Sequence, residues 1–175
     1  MIEVGGEEIA WKSGYYDTYG STHHQNFSKT TPAHNTITVD NGIGQPINQF
    51  DADGRITMFL TNTDMSAAVG EGADAYWGKL GKYDRTLVYL RPDSYIVIDN
   101  LAASDMKKQQ GGSTFEWWIN CMGTIDVHED HKGVYLENNT VALDARVQYP
   151  EKVTPYYSNI FSGTDLVDWP TDDRK

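Results

Sequence analysis

The sequence predicts an all-β fold, an antiparallel β-sandwich or stacked-sheet domain, and three observations lead to it. Apolar and polar residues alternate with a period of two in many short stretches. Aromatic residues, which favour pleated surfaces, make up 12% of the 175 residues. No stretch combines helix caps with apolar residues at i, i+3, i+4 and i+7. We therefore expect one β-sheet domain that spans residues 1–175.

The predicted strands follow one another along the chain with turn signals between them. In Thr36–Val39 the two apolar residues share one face and the two threonines share the other. The same alternation predicts strands over residues 36–39, 55–60, 66–69, 83–91, 95–99, 114–120, 133–137 and 140–149.

Turn-forming residues define how these strands connect. Pro92 and Asp93 form a turn signal in the middle of residues 83–99, which predicts a hairpin. Residues 104–113 are polar and contain glycine, so they are expected to form a loop. Residues 126–131 collect charged and histidine side chains, and we interpret them as a solvated turn.

Charge and composition narrow the possible partners. The formal net charge of −11 repels duplex nucleic acid and anionic membranes, so we expect neither as a partner. No apolar run approaches the roughly 20 residues that a transmembrane helix requires. Cys121 is the only cysteine, so no internal disulfide can form.

Histidine and tyrosine concentrate in residues 13–45, which hold three of the five histidines and three of the eleven tyrosines. These side chains suit proton transfer near neutral pH. The alternative is a tyrosine-rich loop with exposed histidines, and the pattern alone leaves both open. His34, directly before a predicted strand, could coordinate a metal or bond a carbonyl group. Spacing identifies no second ligand.

Several short runs of the sequence match the motifs of one known family. They are Ser13–Asp17, Tyr19–Ser21, His23–His24, His34–Asp40, Gly44–Gln45, Gly72–Tyr76 and Arg85–Asp99. In these runs the sequence resembles the heparinase II/III-like polysaccharide lyases, and in particular the branch of oligo-alginate lyases and exo-acting heparinase-type lyases. One departure is Asn41, which stands before Gly42 in the family's "HNT-VDG-Q" signature. The resemblance covers about residues 9–119.

The resemblance implies a larger, periplasmic or secreted enzyme with an α/α toroid followed by stacked β-sheets. Such lyases cleave uronic-acid polysaccharides by β-elimination, in which a Tyr or His takes a proton and a Tyr protonates the leaving oxygen. In the family, most of these groups come from the toroid, and a further histidine comes from a His-x-His-x-Asp run. The sequence contains neither the toroid nor this run. We therefore expect the truncated carboxy-terminal part of a lyase, with no catalytic residue assigned and no activity alone.

The resemblance also implies roles for individual residues. Tyr16, Tyr19, His23 and His24 match positions beside the substrate cleft, where an acidic polysaccharide or oligosaccharide would bind to the full-length enzyme. The alternative for these four is loop packing.

His34 matches a histidine that binds structural zinc in several members of the family. Lys12 stands near the position of an acidic zinc ligand, so zinc is expected only in the full-length enzyme.

A second function is also open, a non-catalytic carbohydrate-binding β-sandwich module. Its motivation is the two aromatic pairs Tyr76–Trp77 and Trp117–Trp118, which could stack on sugar rings. Packing within the protein is the favoured interpretation, because neighbouring residues of a strand point to opposite faces.

Overall fold

The computed structural model describes residues 2–12, 18–121 and 123–155. Most of the regular structure in these ranges is antiparallel strand, which confirms the predicted all-β fold. The chain forms two compact units, unit 1 with residues 1–36 and 117–175, and unit 2 with residues 37–116. In chain order the strands are β1 (Ile2–Val4), β2 (Glu7–Ala10), β3 (Ile37–Val39), β4 (Arg55–Thr61), β5 (Met65–Glu71), β6 (Leu80–Leu90), β7 (Ser94–Ala103), β8 (Phe115–Trp117), β9 (Thr124–Val127), β10 (Gly133–Asn138) and β11 (Val141–Arg146).

Unit 2 is built on a four-stranded antiparallel meander in the order β4-β5-β6-β7. Strands β6 and β7 form the predicted hairpin, with Leu87 opposite Val97 and Val88 opposite Ile96. Residues that face each other across strands share a side of the sheet, so the apolar set divides between both faces. The short strands β3 and β8 form a separate two-stranded sheet.

The core of unit 2 lies around Tyr76, which is fully buried. This tyrosine ends a turn of 3₁₀ helix, Asp74–Tyr76, that precedes β6. Its hydroxyl donates to the carbonyl of Ile37 at 2.7 Å, and the ring centroids of Tyr76 and Tyr83 lie 5.7 Å apart with the rings nearly perpendicular. The polar end of the side chain is therefore satisfied inside an apolar cluster.

The rest of the meander exposes apolar residues on both sides. Phe59 lies on one face with Leu87 and Val97, and Leu60 lies on the other with Ile96. All of these side chains are exposed, Phe59 by 67%.

Unit 1 contains the β1–β2 hairpin and a three-stranded antiparallel sheet in the order β11-β10-β9. Ile9 and Leu136 are both fully buried and form its apolar centre with Ala10. The Asn138 side chain donates to the carbonyl of Glu8 at 2.7 Å, which joins the hairpin to the sheet.

Three parts of the sequence prediction need correction or addition. The expected loop at residues 104–113 contains a short helix, α1 (Asp105–Gln109), whose N-cap is Ser104. The turn at residues 126–131 is preceded by β9, which takes up the first two of these residues. Strands β1 and β2 were not predicted at all. No helix in the described ranges is long and apolar enough to span a membrane.

Candidate functional site

The candidate site residues that the structure describes lie in one segment of unit 1, residues 18–36. It begins with a turn closed by the Ser21 N–H and the Thr18 carbonyl at 3.1 Å. A π-helical turn, His24–Ser28, and a 3₁₀ turn, Thr31–Ala33, follow. Pro32 supports the second turn, because its fixed φ suits the start of a helix and it has no N–H to satisfy.

The structure brings Tyr19 and His24 together. Their ring centroids are 4.9 Å apart, with Tyr19 77% exposed and His24 buried. The Gly20 N–H donates to Nδ1 of His24 at 2.7 Å. Since Nδ1 accepts this bond, the neutral ring carries its proton on Nε2. His24 therefore supports the turn that presents Tyr19.

His23 has a different neighbour. Its ring is buried and lies 5.6 Å from the ring of Phe27, one turn along the segment. His23 and His24 thus contact different aromatic rings, Phe27 and Tyr19, and do not point into one common site. Tyr16, the fourth residue predicted to line a cleft, lies outside the described residues.

His34 follows the 3₁₀ turn in an extended conformation, and its residue is exposed. Partial desolvation of the ring lowers the pKa of His34 below its ordinary value, and the nearby Lys12 ammonium lowers it further. A hydrogen bond with the Ser28 backbone acts in the opposite direction. On balance these neighbours favour the neutral form of the ring.

The zinc that the resemblance implies at His34 is expected only in the full-length enzyme, and the described residues do not hold a complete set of ligands. A structural zinc site requires four ligands, commonly from Cys and His side chains. Within residues 2–12, 18–121 and 123–155, no three His, Cys, Asp or Glu side chains group closely enough to hold a metal ion. The residue whose charge reaches His34 is a lysine, which repels a metal cation.

The residues after His34 are bound into the protein. Asn35 accepts the Asn120 backbone N–H at 2.6 Å, and the Asn120 side chain donates to the Pro32 carbonyl at 3.2 Å. The Thr36 carbonyl accepts the N–H of Trp118 at 2.8 Å. Asn35 and Thr36 of the signature therefore connect two distant parts of unit 1.

In unit 2, the signature continues into a tight turn held by Glu116. The backbone N–H groups of Asn41 and Gly42 donate to the two oxygens of this carboxylate at 2.6 and 3.0 Å. Thr38 Oγ1 donates to the same carboxylate. Successive N–H groups in left-handed conformation form a cavity suited to an anion, and here the anion is a side chain of the protein.

Asp40 makes the reciprocal connection. Its carboxylate accepts the Thr114 N–H at 3.0 Å, the Lys107 ammonium at 2.8 Å and the Ser113 hydroxyl at 3.3 Å. The hydrogen bond from Lys107, followed by that from Thr114, holds the pKa of Asp40 below its ordinary value. We call the contacts of Asp40 and Glu116 the carboxylate exchange.

The structure also shows a polar cluster that the sequence pattern did not predict. His128 Nε2 lies 2.8 Å from Asp144 Oδ1, and Arg146 Nε lies 3.3 Å from the other oxygen. Although desolvation acts to raise it, hydrogen bonds from His128 and Arg146 hold the pKa of Asp144 below its ordinary value. Sequence spacing could not reveal the cluster, because strand pairing brings β11 beside the turn after β9.

The two members of each aromatic pair, Tyr76–Trp77 and Trp117–Trp118, differ in exposure. Tyr76 is in the core, whereas Trp77 is 46% exposed and adopts a left-handed backbone with φ of 48°. Trp117 is 45% exposed and Trp118 is partly buried. The favoured packing interpretation holds for Tyr76, while Trp77 and Trp117 leave aromatic surface on the outside.

The family described as "Heparinase II/III-like, C-terminal" matches residues 1–153. The chain belongs to this family. No curated protein matches the chain. The match extends past the region that the sequence motifs indicated and includes all of the strands β1 to β11 of this heparinase II/III-like domain.

Within this domain, the signature residues and the candidate site residues differ in their surroundings. The signature residues from Asn35 to Gly42 are occupied by structural hydrogen bonds. Tyr19, by contrast, presents an exposed ring on a supported turn. Of the predicted cleft residues that are described, Tyr19 is exposed, whereas His23 and His24 are buried.

Proposed function

We propose that this domain is the sheet module of a lyase that cleaves uronic-acid polysaccharides by β-elimination. It contributes scaffold and a wall of the substrate cleft, and the proton-transfer groups come from a helical module of the same enzyme. We place the enzyme in the oligo-alginate and exo-heparinase branch. The observation that carries this proposal is the exposed Tyr19 ring, supported by His24 on the segment that resembles the cleft of that branch.

The chemistry of β-elimination explains why a second module is needed. The reaction requires a group that neutralises the substrate carboxylate, a base for the α-proton and an acid for the leaving oxygen. In the described part of the segment, His24 Nδ1 already accepts a backbone hydrogen bond. Tyr19 can provide a hydroxyl and an aromatic surface, which suits a positioning contact with a sugar. The zinc expected at His34 in the full-length enzyme stays a prediction and has no part in this proposal.

The test is the absorbance of the unsaturated uronate produced by elimination. Alginate, heparin and heparan sulfate are incubated with the isolated chain and with the chain joined to a helical module of the family. We expect no product from the isolated chain and turnover from the joined protein. Sustained turnover by the isolated chain would contradict the proposal.

The contribution of Tyr19 is measured in the joined protein. Tyr19→Phe keeps the ring on His24 and removes one hydroxyl, so we expect kcat/KM to fall about two- to tenfold, the effect of one neutral hydrogen bond. Tyr135→Phe removes a hydroxyl from a partly exposed residue of β10 and is the matched control. Equal kcat/KM values for both variants would remove Tyr19 from the substrate site.

A non-catalytic carbohydrate-binding module is the second candidate, and the exposed Trp77 and Trp117 favour it. Tryptophan fluorescence is titrated with oligo-uronates of defined length. Saturable quenching by the isolated chain would favour the module, and an unchanged spectrum would favour the scaffold.

A further inference from the structure

The turn after β3 contains Asn41–Gly42, the one Asn-Gly pair in the sequence. This pair can react with itself. The backbone nitrogen of Gly42 attacks Cγ of Asn41, a new C–N bond forms, and the side-chain amide leaves as ammonia with the proton of the attacking nitrogen. Water then opens the resulting succinimide to aspartate or isoaspartate. Glycine favours the reaction because it has no side chain to hinder the attack.

Asn41 is exposed, so the water needed for the second step can reach it. The attacking nitrogen, however, is engaged. The Gly42 N–H donates to Glu116 Oε2 at 3.0 Å, and the Asn41 N–H donates to Oε1 at 2.6 Å. Val39 and Ile43 close the turn with two backbone hydrogen bonds of 2.8 and 2.9 Å.

We propose that Asn41–Gly42 is a latent deamidation site, and that the Glu116 carboxylate keeps it unreactive. The Gly42 nitrogen must lose its proton to attack, and a neighbouring negative charge disfavours the amide anion. The charge-assisted hydrogen bond also stabilises the unreactive form. This inference is independent of the proposed function.

The consequence of reaction follows from the same contacts. Isoaspartate would add a methylene group to the backbone of the turn and place a new carboxylate beside Glu116. Both changes act against the carboxylate exchange, the first by altering the path of the backbone and the second by like-charge repulsion.

Asp53–Gly54 provides a reference within the same molecule. It can form the same succinimide with loss of water, and both residues are exposed. Its Gly54 N–H donates to Asp53 Oδ1 at 2.7 Å and has no contact with Glu116 among the described bonds. Partial unfolding of unit 2 would accelerate succinimide formation at both sites, whereas loss of the Glu116 contact would accelerate it at Asn41 alone.

The experiment incubates the full chain at mildly alkaline pH and measures isoaspartate at both sites by peptide mapping. A free peptide of residues 37–46 gives the unprotected rate of Asn41. We expect the folded chain to react about ten- to a hundredfold more slowly than the peptide, the factor of one hydrogen bond to a charged group. Glu116→Gln should restore most of that rate at Asn41 without changing the rate at Asp53.

Lys107→Met is the matched control, because it weakens the same turn through Asp40 while leaving the Gly42 N–H bonded to Glu116. It should leave the Asn41 rate close to that of the unaltered chain. Three results would overturn the proposal: a folded chain as reactive as the peptide, Glu116→Gln without effect, or equal acceleration at Asn41 and Asp53.

Discussion

Asp40 and Glu116 each place a carboxylate where backbone N–H groups need an acceptor. Asp40 accepts from Thr114, and Glu116 accepts from Asn41 and Gly42. A charged acceptor makes such bonds stronger than neutral ones. An acidic residue that is close to histidines in the sequence thus acts here as a structural group of unit 2.

Asp40→Asn tests this role through pH dependence. Because the folded pKa of Asp40 is lower than its ordinary value of 3.8, its stabilisation is present above that value and is lost as pH falls through the folded pKa. We expect the variant to unfold at lower urea concentration at neutral pH and to lose less stability on acidification to about pH 3. The measurement is the urea midpoint at each pH.

Asp93→Asn, at an exposed position, is the comparison for this experiment. Its midpoints should run parallel to those of the unaltered chain. If the Asp40→Asn midpoints also run parallel, the Lys107 and Thr114 contacts do not stabilise the charged form.

The sequence could predict which residues of this region are unusual, but not what they contact. The cluster of histidines and tyrosines is visible as composition, and His34, Asn35 and Asp40 stand out by their resemblance. Asn35 bonds to Asn120, Asp40 to Lys107 and Asn41 to Glu116, and each partner follows more than 60 residues later. No local periodicity determines a side-chain contact over that separation.

Strands β6 and β7 were the most predictable elements, because long alternating runs flank a proline turn. Strands β1 and β2 have only three and four residues and are rich in glutamate. A signal for their hairpin was nevertheless present in Gly5–Gly6, which both take positive φ. Similarly, Ser104 and Asp105 provide the cap and first-turn charge of α1.

Tyr76→Phe tests how the 3₁₀ turn is attached to β3. The substitution removes the hydroxyl that donates to the Ile37 carbonyl and leaves that buried acceptor without this bond. We expect a loss of about 1–3 kcal/mol in the free energy of unfolding. Chemical denaturation is the measurement. Tyr135→Phe, at an exposed position of β10, is the control, with an expected change under about 0.5 kcal/mol. Equal effects would show that the hydroxyl bond contributes nothing specific.

For the molecule as a whole, the notable feature is apolar surface combined with a net charge of −11. The meander of unit 2 exposes Phe59 and Ile98, on opposite faces, by 67% and 55%. Contiguous apolar patches of more than a few hundred Å² are uncommon on monomeric proteins and mark interaction sites. In the enzyme that we propose, other parts of the protein would cover this surface.

Phe59→Thr combined with Ile98→Thr should lower the fluorescence of a bound apolar dye such as ANS. Because both side chains are exposed and threonine suits a strand, we expect a change under about 1 kcal/mol in the free energy of unfolding. Leu136→Thr, at a fully buried position, should instead cost about 2–4 kcal/mol. Dye fluorescence that is unchanged in the double variant would show that these faces do not bind the probe.

The carboxylate exchange has a consequence for how related genes are interpreted. A descendant that had lost every group needed for elimination would still be stabilised by the Asp40 and Glu116 bonds. Selection for folding alone can therefore preserve the run from Asn35 to Gly42 after chemistry has gone. A genome search for that run therefore finds domains that share this fold. Active lyases have to be identified by their reactive groups, which lie elsewhere.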